Sequence, residues 1–481
     1  MTNGIKTTLP LYRDSLDWNA FAEKYPAPDV FEQTLYKRSP DEIRAWQNAR
    51  FLEAMQVAWQ NRFYQKLWGA AGIQAGDIRS LDDITRLPTI TSDDIKADQE
   101  AHPPYGLLNG DVKKISSTVP LKLQTSGGTT GKPRLTLNGP LEWELNGLTR
   151  ARAYYVCGAR PGDVAQITFT NSLANAAWCN YKAFHDYLGI IPITSGSGAV
   201  TSSRRQLETA FDCGTNIWSA RPEYLTRLAQ VCREELHRDV RELPTKFIST
   251  GLGPDLNGSL RGRLEALWGC PVYDRYGTNE MGVGAFECTH KAGMHLMEDV
   301  TYFEILDVET NQPVTGDAPG NFVATLFYRN MMPLIRYNIR DLVRFKSTAT
   351  ERCACGSHYR RIDHILGRSD TMVKLRGVNV YPQACQPAVI SDARTTGQWV
   401  CFVDRHLDQN LVRDEMIVKV EVKKDAADVS GLKEHIEQRL HADLGVRISV
   451  ELVADGALDG YWREAKPKML IDRRFEDDLK I

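Results

Sequence analysis

Short apolar runs alternate with amphipathic stretches through the middle of the chain, and this alternation limits the folds that the chain can adopt. Between residues 163 and 251 the runs are DVAQITF, IIPITS, TNIWSA and KFISTG, and the stretches between them include PEYLTRLAQVCREELHRD. Strands that take turns with helices favour a parallel sheet covered by helices over an all-α or all-β domain. We therefore predict an α/β fold whose large N-terminal domain contains mixed or parallel sheets.

The regions on either side of this alternation have patterns of their own. From Ser39 to Leu67 apolar residues recur at helical spacing, which predicts one long packed helix. Past Gly282, strand candidates separated by turn signals predict an antiparallel subdomain. Beyond Gly367–Asp370 the order strand, helix, strand predicts a small α+β domain. The predicted domains are therefore residues 1–367 and 368–481.

The composition is that of an ordinary globular protein. A chain of 481 residues is too long for one core, which indicates at least two domains. The formal net charge of −2 argues against nucleic acid as a partner. We find no signal peptide at the N-terminus and no apolar window long enough to cross a bilayer, so we expect a cytoplasmic enzyme with no membrane partner. The ten cysteines are scattered from Cys157 to Cys401, so most are expected to be reduced.

The segment Gln124–Pro133, QTSGGTTGKP, carries the strongest functional signal. Its glycines let the backbone approach an anion, its hydroxyls donate hydrogen bonds, and Lys132 adds a positive charge. It differs from the P-loop of kinases and GTPases because Ser126 replaces the first glycine and Pro133 replaces the magnesium-binding hydroxyl. The segment therefore predicts a phosphate-binding loop, with a flexible linker as the alternative.

This loop resembles the signature loop of the adenylate-forming (ANL) superfamily. Four later segments are similar to the other motifs of that superfamily and come in the same order: Tyr273–Gly282, Ile335–Leu342, Gly367–Pro382 and Arg463–Arg474. Within the superfamily, RYNIRDL, GRSD and RGVNVYP resemble the phenylacetate-CoA ligases most.

The resemblance implies an acid-thiol ligase. Such an enzyme uses ATP and Mg²⁺ to activate a small carboxylic acid, here expected to be aromatic, as an acyl-AMP, and then transfers the acyl group to coenzyme A. One alternative keeps the adenylation and changes the acceptor to a carrier-protein thiol, an amine or another nucleophile. A second alternative is a non-catalytic nucleotide-binding protein. A homodimer is a further expectation.

The resemblance also implies roles for matched residues. Glu280 is expected to bind Mg²⁺, and Lys466 to reach the acid and the α-phosphate as a catalytic residue. Two departures bear on these roles: Asn279 replaces a small hydroxyl residue, and Ala465 replaces a glycine, which leaves Lys468 as a rival to Lys466. The residues expected to bind ATP are Thr125, Ser126, Gly127, Gly128, Thr129, Thr130, Lys132, Tyr276, Gly277, Thr278, Asp341 and Arg368.

In this superfamily the C-terminal domain turns about a hinge between the two half-reactions. The matched hinge residue is Asp370, and the matched lining of the CoA tunnel is Gly377, Val378 and Asn379. Gly377 would leave room for a thin pantetheine arm, although a glycine in a β-turn is the competing explanation.

The acyl pocket is the least constrained part of the site. Its expected residues combine aromatic, small and amide side chains, which suit a flat ring with a polar substituent but suit ordinary core packing as well. They are Phe169, Asn175, Trp178, Gly251, Gly253 and Gly282. Gly253 stands where the phenylacetate enzymes are expected to have a glutamate, which favours a substrate other than phenylacetate.

Four residues in two short segments form a candidate zinc site. Cys288 and His295 lie in ECTHKAGMH, and Cys353 and Cys355 lie in RCACGSH. Three thiolates and one imidazole are a common set for tetrahedral structural Zn²⁺. His290 could replace His295, and unpaired reduced cysteines are the alternative.

Overall fold

The computed structural model describes residues 9–125, 134–253, 255, 258–348, 350–371, 373–375, 378–408, 411–426, 428–462 and 469–474. The chain forms two compact units. The first comprises Met1–Gly251, Trp268–Ile339 and Arg344–Asp363, and the second comprises Leu252–Leu267, Arg340–Val343 and His364–Ile481. The boundary between residues 367 and 368 stays a prediction.

The α-helices of the described ranges are α1 (Trp18–Lys24), α2 (Pro28–Gln33), α3 (Pro40–Gln60), α4 (Arg62–Ala70), α5 (Ser92–Ala101), α6 (Val112–Ser116), α7 (Pro140–Val156), α8 (Ala176–Lys182), α9 (Ser203–Cys213), α10 (Pro222–Glu235), α11 (Ser259–Trp268), α12 (Gln386–Ile390), α13 (Leu432–Leu444) and α14 (Asp459–Trp462). Among the residues that the structure describes, no helix combines the length and the apolar character needed to cross a bilayer.

The strands of the same ranges are β1 (Ile90–Thr91), β2 (Lys122–Thr125), β3 (Leu135–Asn138), β4 (Val164–Ile167), β5 (Ile191–Thr194), β6 (Ile217–Ser219), β7 (Phe247–Thr250), β8 (Val272–Thr278), β9 (Gly282–Glu287), β10 (Met294–Leu296), β11 (Thr301–Leu306), β12 (Gly320–Leu326), β13 (Tyr337–Val343), β14 (Arg361–Ile362), β15 (Gly367–Arg368), β16 (Val373–Leu375), β17 (Val378–Val380), β18 (Thr395–Asp408), β19 (Leu411–Val422), β20 (Ser449–Val453) and β21 (Leu470–Asp472).

The main sheet of the first unit is mixed, as the sequence pattern predicts. Its strand order is β14-β10-β9-β8-β7-β6-β4-β5. Neighbours from β5 to β8 are parallel, whereas β8, β9, β10 and β14 pair antiparallel. Strand β8 pairs with β7 as far as Asp274 and with β9 from Arg275 onward. The α/β fold with an antiparallel subdomain is therefore confirmed, and the change of direction lies beside the predicted nucleotide motif.

The predicted long helix is two helices. Ser39 precedes helix α3 as its N-cap, and its hydroxyl and the Glu42 carboxylate form a capping box. Asn61 follows the helix as its C-cap, and its side chain accepts the Phe63 N–H to cap α4 and donates to the Leu108 carbonyl at 2.8 Å. Both of these polar contacts of Asn61 favour a break between α3 and α4, and the second is made with a distant part of the chain. The prediction of one long helix was therefore wrong, because it rested on apolar spacing alone.

Helix α7 is the most deeply buried helix of the first unit, and it carries polar groups inward. Its contacts include α8, α2 and β9. Arg152 is fully buried, donates to Asp299 Oδ2 at 2.6 Å and to the Pro26 carbonyl at 2.7 Å, and is therefore satisfied. Asn146 and Arg150 are also buried on this helix. Because residues four apart lie on one face, these two side chains point in one direction.

The second unit contains the predicted strand, helix, strand sequence. It corresponds to β19, α13 and β20, and β19 and β20 are parallel in a sheet of order β20-β19-β18-β21. Leu432, Ile436 and Leu440 of α13 are fully buried in the core of this unit. Their spacing of four residues places them on the face of the helix that covers the sheet.

Candidate active site and metal centre

The two ends of the predicted phosphate loop are held side by side. Strands β2 and β3 pair antiparallel, with Thr125 opposite Leu135. The Asn279 side chain donates to the Thr125 carbonyl at 2.8 Å, and Gln124 Nε2 donates to the Asn279 carbonyl at 2.7 Å. These two hydrogen bonds fasten the start of the loop to the turn between β8 and β9, which carries Glu280.

Several predicted residues lie outside the part of the chain that the structure describes. In the phosphate loop they are Ser126, Gly127, Gly128, Thr129, Thr130 and Lys132. Near the C-terminus they are Lys466 and its rival Lys468, and in the predicted CoA tunnel Gly377 is a further case. The roles of these residues stay predictions.

Glu280, the predicted Mg²⁺ ligand, forms a buried ion pair with Arg134, the first described residue after the loop. The Glu280 side chain is 3% exposed and that of Arg134 is 14% exposed. Burial raises the pKa of the Glu280 carboxyl, but the charge and hydrogen bond of Arg134 outweigh it, so the pKa lies below its ordinary value. A carboxylate held in the charged form is a suitable ligand for a hard cation.

The turn around Glu280 is fixed by contacts from the other side. Arg329 Nη1 donates to the Glu280 carbonyl at 2.8 Å, and the Tyr328 hydroxyl donates to the Met281 carbonyl at 2.7 Å. Gly277 lies at a bulge between β8 and β9, and a Cβ there would lie 2.0 Å from the Gly282 carbonyl oxygen. Only glycine fits this position, so the turn keeps its shape only with Gly277.

The residues matched to adenine binding lie on the same strand. Tyr276, on β8, is half-buried, and its ring centroid lies 5.7 Å from that of Phe322. Thr278 ends β8 and accepts the Met281 N–H at 3.2 Å. Tyr276, Gly277 and Thr278 therefore belong to the same short segment as Glu280.

In the second unit, Asp341 and Arg368 form an ion pair. They are paired residues of β13 and β15, and Arg368 Nη1 lies 2.8 Å from Asp341 Oδ1. Arg368 also binds the carboxylate of Asp370, the predicted hinge residue, with contacts of 2.9 and 2.7 Å. The Arg368 guanidinium thus binds both Asp341 and Asp370, which were predicted from two different motifs.

The described part of the predicted CoA tunnel is a strand. Val378 and Asn379 belong to β17, which pairs antiparallel with β16, so that Asn379 is opposite Lys374 and Val378 is opposite Leu375. This is the position of the backbone, and the binding role stays a prediction.

Most of the predicted acyl-pocket residues lie in the first unit. Asn175 is 3% exposed, and its N–H donates to Asn279 Oδ1 at 3.2 Å. Phe169 is half-buried and packs against the core of the parallel sheet. Trp178 is half-buried and donates to the Ser172 carbonyl at 2.8 Å. Gly251 follows β7, whereas Gly253 belongs to the second unit.

Gly282 requires both its left-handed backbone and its lack of a side chain. Its φ is +70°, and a Cβ would lie 2.5 Å from Asn146 Oδ1 of α7. The glycine therefore brings the backbone after Glu280 directly against the amide of Asn146.

Sequence reasoning missed Arg134 as a site residue and treated Asn279 only as a departure from the motif. Asn279 has a structural role here, because one amide side chain bonds both the phosphate-loop stem and the backbone of Asn175. A serine or threonine hydroxyl is too short to do both. The sequence signal for this role was the presence of asparagine at position 279, where a small hydroxyl residue is usual. Arg134 is 146 residues from Glu280, and nothing in the sequence indicates their pairing.

The candidate zinc residues form a cluster. The ligand atoms of Cys288, His295, Cys353 and Cys355 all lie within 4.8 Å of one another. The sulfurs of Cys288 and Cys353 are 3.9 Å apart, and Cys355 Sγ lies 3.6 Å from His295 Nε2. Tetrahedral Zn²⁺ with ordinary bond lengths needs about 3.8 Å between two sulfurs and about 3.6 Å between sulfur and nitrogen. The donor set and the spacing both fit Zn²⁺.

The fold brings this cluster together from two places. Cys288 follows β9 and His295 lies on β10, which pairs with β9 on one side and with β14 on the other. Cys353 and Cys355 lie in a tight turn closed by the Gly356 N–H, which donates to the Cys353 carbonyl at 2.8 Å. His290 is exposed and is not one of the clustered residues, so the histidine of the group is His295.

Comparison with known proteins finds a matching family and similar sequences. Residues 377–474 match the family described as the AMP-binding enzyme C-terminal domain. Phenylacetate-coenzyme A ligase of Aromatoleum evansii is 28% identical over 462 residues, which cover 94% of this chain and 99% of that protein. The enzyme of the same name from Thermus thermophilus is 26% identical over 451 residues, which cover 89% and 96%.

Solved structures of an acyl-CoA ligase are also similar to this chain. A crystal structure of 2-hydroxyisobutyryl-CoA ligase with 2-HIB-AMP, in the postadenylation state, has a TM-score of 0.80 and is 25% identical, with 92% of each chain covered. The same enzyme with 2-HIB-AMP and CoA, in the thioesterification state, has a TM-score of 0.64 with the same identity and coverage. Together with the motifs, these matches show that the chain is similar, along nearly its whole length, to phenylacetate-CoA ligases and to an acyl-CoA ligase of the adenylate-forming superfamily.

Proposed function

We propose that this chain is an AMP-forming acid-thiol ligase, which activates a small aromatic carboxylic acid with ATP and transfers the acyl group to coenzyme A. The relatives named above act on phenylacetate and on 2-hydroxyisobutyrate, and all of them use CoA as their names state. Their matches cover nearly the whole chain, so both half-reactions have their counterpart in this sequence. A cytoplasmic location stays a prediction.

One observation supports adenylate chemistry above the others. Asn279 and Arg134 join the stems of the phosphate loop to the turn that carries Glu280. A loop for phosphate and a carboxylate for a divalent cation are both needed when an acid attacks a nucleotide, because two anions must approach each other. A protein that only binds nucleotide does not need Glu280, Asp341 and Lys466 together, which argues against the non-catalytic alternative.

Mg²⁺ on the phosphates would supply charge that neutralises the anions as they meet. Glu280 is the proposed ligand, and its charged form is already maintained by Arg134. Arg134 would keep this carboxylate oriented and deprotonated before the substrates bind. Asp341 would accept the ribose hydroxyls, and its neighbour Arg368 would fix the carboxylate for that role.

The second half-reaction rests on the C-terminal segment. We propose residues 368–481 as a domain that turns about Asp370, with Lys466 acting in adenylation and Gly377, Val378 and Asn379 lining the approach of the CoA thiol. The match of residues 377–474 to the C-terminal domain of AMP-binding enzymes supports this assignment. A homodimer is a separate proposal that gel filtration with light scattering would test.

Zinc has a structural role in this proposal. Cys288, His295, Cys353 and Cys355 would fill all four positions of a tetrahedral ion, and a site with four protein ligands has no open position for substrate. The ion would tie the turn at residues 353–356 to β9 and β10 and so stabilise the first unit.

An exchange assay tests the proposal. The purified protein, given ATP, Mg²⁺ and one acid at a time, should incorporate labelled pyrophosphate into ATP only when a suitable acid is present. Analysis of the products with and without CoA then separates a CoA ligase from an enzyme that uses a carrier protein or an amine. If none of the acids in a broad panel of aryl and small aliphatic acids supports exchange, adenylation is rejected.

A further inference from the structure

A buried arginine of helix α7 has no partner among the described residues. Arg150 is 6% exposed, and its Nε and Nη1 make no hydrogen bond within the described ranges, nor does the guanidinium form an ion pair there. The neighbouring arginine Arg152 shows how this chain treats a buried guanidinium, since Asp299 and the Pro26 carbonyl satisfy it. A buried charge without a counter-ion destabilises a fold, so Arg150 calls for a function.

The polar groups around Arg150 are unsatisfied as well. Asn146, one turn earlier on α7, is fully buried, and neither atom of its amide has a hydrogen-bond partner in the described part of the chain. Asn175 Oδ1, at the start of α8, is buried and unpartnered in the same sense. These three buried side chains thus offer donors and acceptors that have no hydrogen-bond partner within the described ranges.

A second arginine reinforces the positive charge. Arg275 donates to Ser219 Oγ at 3.1 Å, and its buried Nε has no partner within the described ranges. Burial lowers the pKa of Arg275 to about 10, and the charge of Arg150 acts in the same direction. The two guanidinium groups are therefore close enough to repel each other.

The buried thiol of Cys179 gives an independent indication of the local charge. Burial raises its pKa, and the charges that act most strongly on it are all positive: Arg150, Lys122, Lys182 and Arg275. Lys182 is neutralised by Glu144 at 2.8 Å and by Asp186 at 2.7 Å. Asp274 is a negative charge that acts on Arg275, whereas Arg150 and Lys122 form no ion pair within the described ranges, so these two cations are uncompensated there.

This region adjoins the proposed acyl site. Asn146 Oδ1 lies against Gly282, and Asn175 is bonded to Asn279. Arg275 immediately precedes Tyr276, and its guanidinium carbon lies 5.8 Å from the centroid of the Phe169 ring. Ser219 ends β6, so the group sits at the carboxyl edge of the parallel strands, where α/β folds bind their ligands.

We propose that the acid activated by this enzyme is a dicarboxylic acid, whose second carboxylate is bound by Arg150 with help from Arg275 and the amide of Asn146. This proposal rests on the proposed function and narrows its substrate. A guanidinium only donates hydrogen bonds, and a carboxylate matches its fork with two acceptors and a full opposite charge. A phenol or an ether would accept hydrogen bonds but leave the charge of Arg150 uncompensated.

The inference explains why arginines and amides lie beside the residues that are predicted to hold an aromatic ring. Phe169 and Trp178 would contact the ring, while the reacting carboxylate would face Glu280 and the phosphate loop. The second carboxylate would then point toward α7. Phenylacetate has no such group, which agrees with the absence of the expected glutamate at Gly253.

The test compares acids that differ only in the second charge. Pyrophosphate exchange is measured with benzoate, phenylacetate, the benzenedicarboxylates and the phenylenediacetates, and with the methyl half-ester of each diacid. We expect at least one diacid to exceed its half-ester in kcat/KM by about 10- to 150-fold, the range given by hydrogen bonds to charged groups. Half-esters and monoacids that react as well as every diacid would overturn the inference and leave adenylation intact.

Variants of Arg150 supply the second measurement. Arg150→Met should abolish the preference for the diacid, and Arg150→Lys should keep part of it. Without ligand, Arg150→Met should melt no lower than wild type because it removes an unpaired buried charge, whereas Arg152→Met should melt lower because it leaves Asp299 unpaired. A lower melting temperature for Arg150→Met with an unchanged preference would show that Arg150 serves only the fold. If no acid supports pyrophosphate exchange, the proposed function is rejected together with this inference.

Discussion

Arg134 and Glu280 form a buried ion pair that joins the end of the phosphate loop to the turn carrying the predicted Mg²⁺ ligand. The pair keeps the Glu280 carboxylate charged in a buried position, where a carboxyl group alone would tend to take up a proton. It also means that a cation approaching Glu280 meets a carboxylate already fixed in orientation. If Glu280 is the Mg²⁺ ligand that we propose, the ion pair would prepare the site for the ion and connect it to the predicted loop.

Replacing Glu280 should affect chemistry far more than folding. We expect Glu280→Gln to slow pyrophosphate exchange by about 10²-fold or more and to raise the Mg²⁺ concentration needed for half-maximal rate. The control is Glu304→Gln, which breaks another buried pair, since Arg336 Nη2 lies 2.9 Å from Glu304 Oε1. That variant should lose about 3 to 5 kcal/mol of stability and exchange normally when folded. Equal loss of exchange in both would mean that Glu280 has only a structural role.

The sequence predicted those features that depend on local pattern. The parallel strands, the change to antiparallel pairing near Gly282 and the strand-helix-strand order of β19, α13 and β20 all follow from apolar period and turn residues. The cluster of three cysteines and one histidine followed from residue chemistry, because few other arrangements use these residues at this spacing.

What the sequence could not give depends on contacts between distant residues. The break at Asn61 depends in part on a hydrogen bond to Leu108, and the ion pair of Glu280 depends on a residue before β3. Arg150 looks like any arginine of an amphipathic helix until the structure shows that α7 is buried on nearly all sides. An unpaired charge can be recognised only when its surroundings are known.

Asn279 should control the binding of ATP through the Thr125 carbonyl. Asn279→Asp keeps an acceptor for the Asn175 N–H but loses the donor to Thr125, and Asn279→Ala loses both contacts. We expect each variant to raise KM for ATP by about tenfold, the equivalent of about 1.4 kcal/mol, because each frees the stem of the loop. Steady-state exchange kinetics measure this. A normal KM for ATP in the aspartate variant would show that the bond to Thr125 is dispensable.

Zinc should stabilise the protein without taking part in catalysis. Metal analysis of protein freed of loosely bound ions should find one Zn²⁺ per chain, and Cys353→Ser should lose it and melt at a lower temperature. The matched control is Cys213→Ser, because Cys213 is an exposed cysteine of α9 outside the cluster. Exchange per folded molecule should change little in either variant. Protein without zinc that melts like zinc-bound protein would contradict a structural role.

The roles of Lys466 and Lys468 can be distinguished by measuring the two half-reactions separately. The structure does not distinguish them, because both lie outside the described residues. A lysine that meets the α-phosphate is needed when the adenylate forms but not when the thiol attacks it. Lys466→Ala should therefore lose at least about 10²-fold in pyrophosphate exchange and still convert supplied acyl-adenylate and CoA to thioester. Lys468→Ala should retain both activities. The reverse result would assign the catalytic role to Lys468, and loss of thioester formation in Lys466→Ala would show a role beyond adenylation, because the supplied adenylate bypasses the first step.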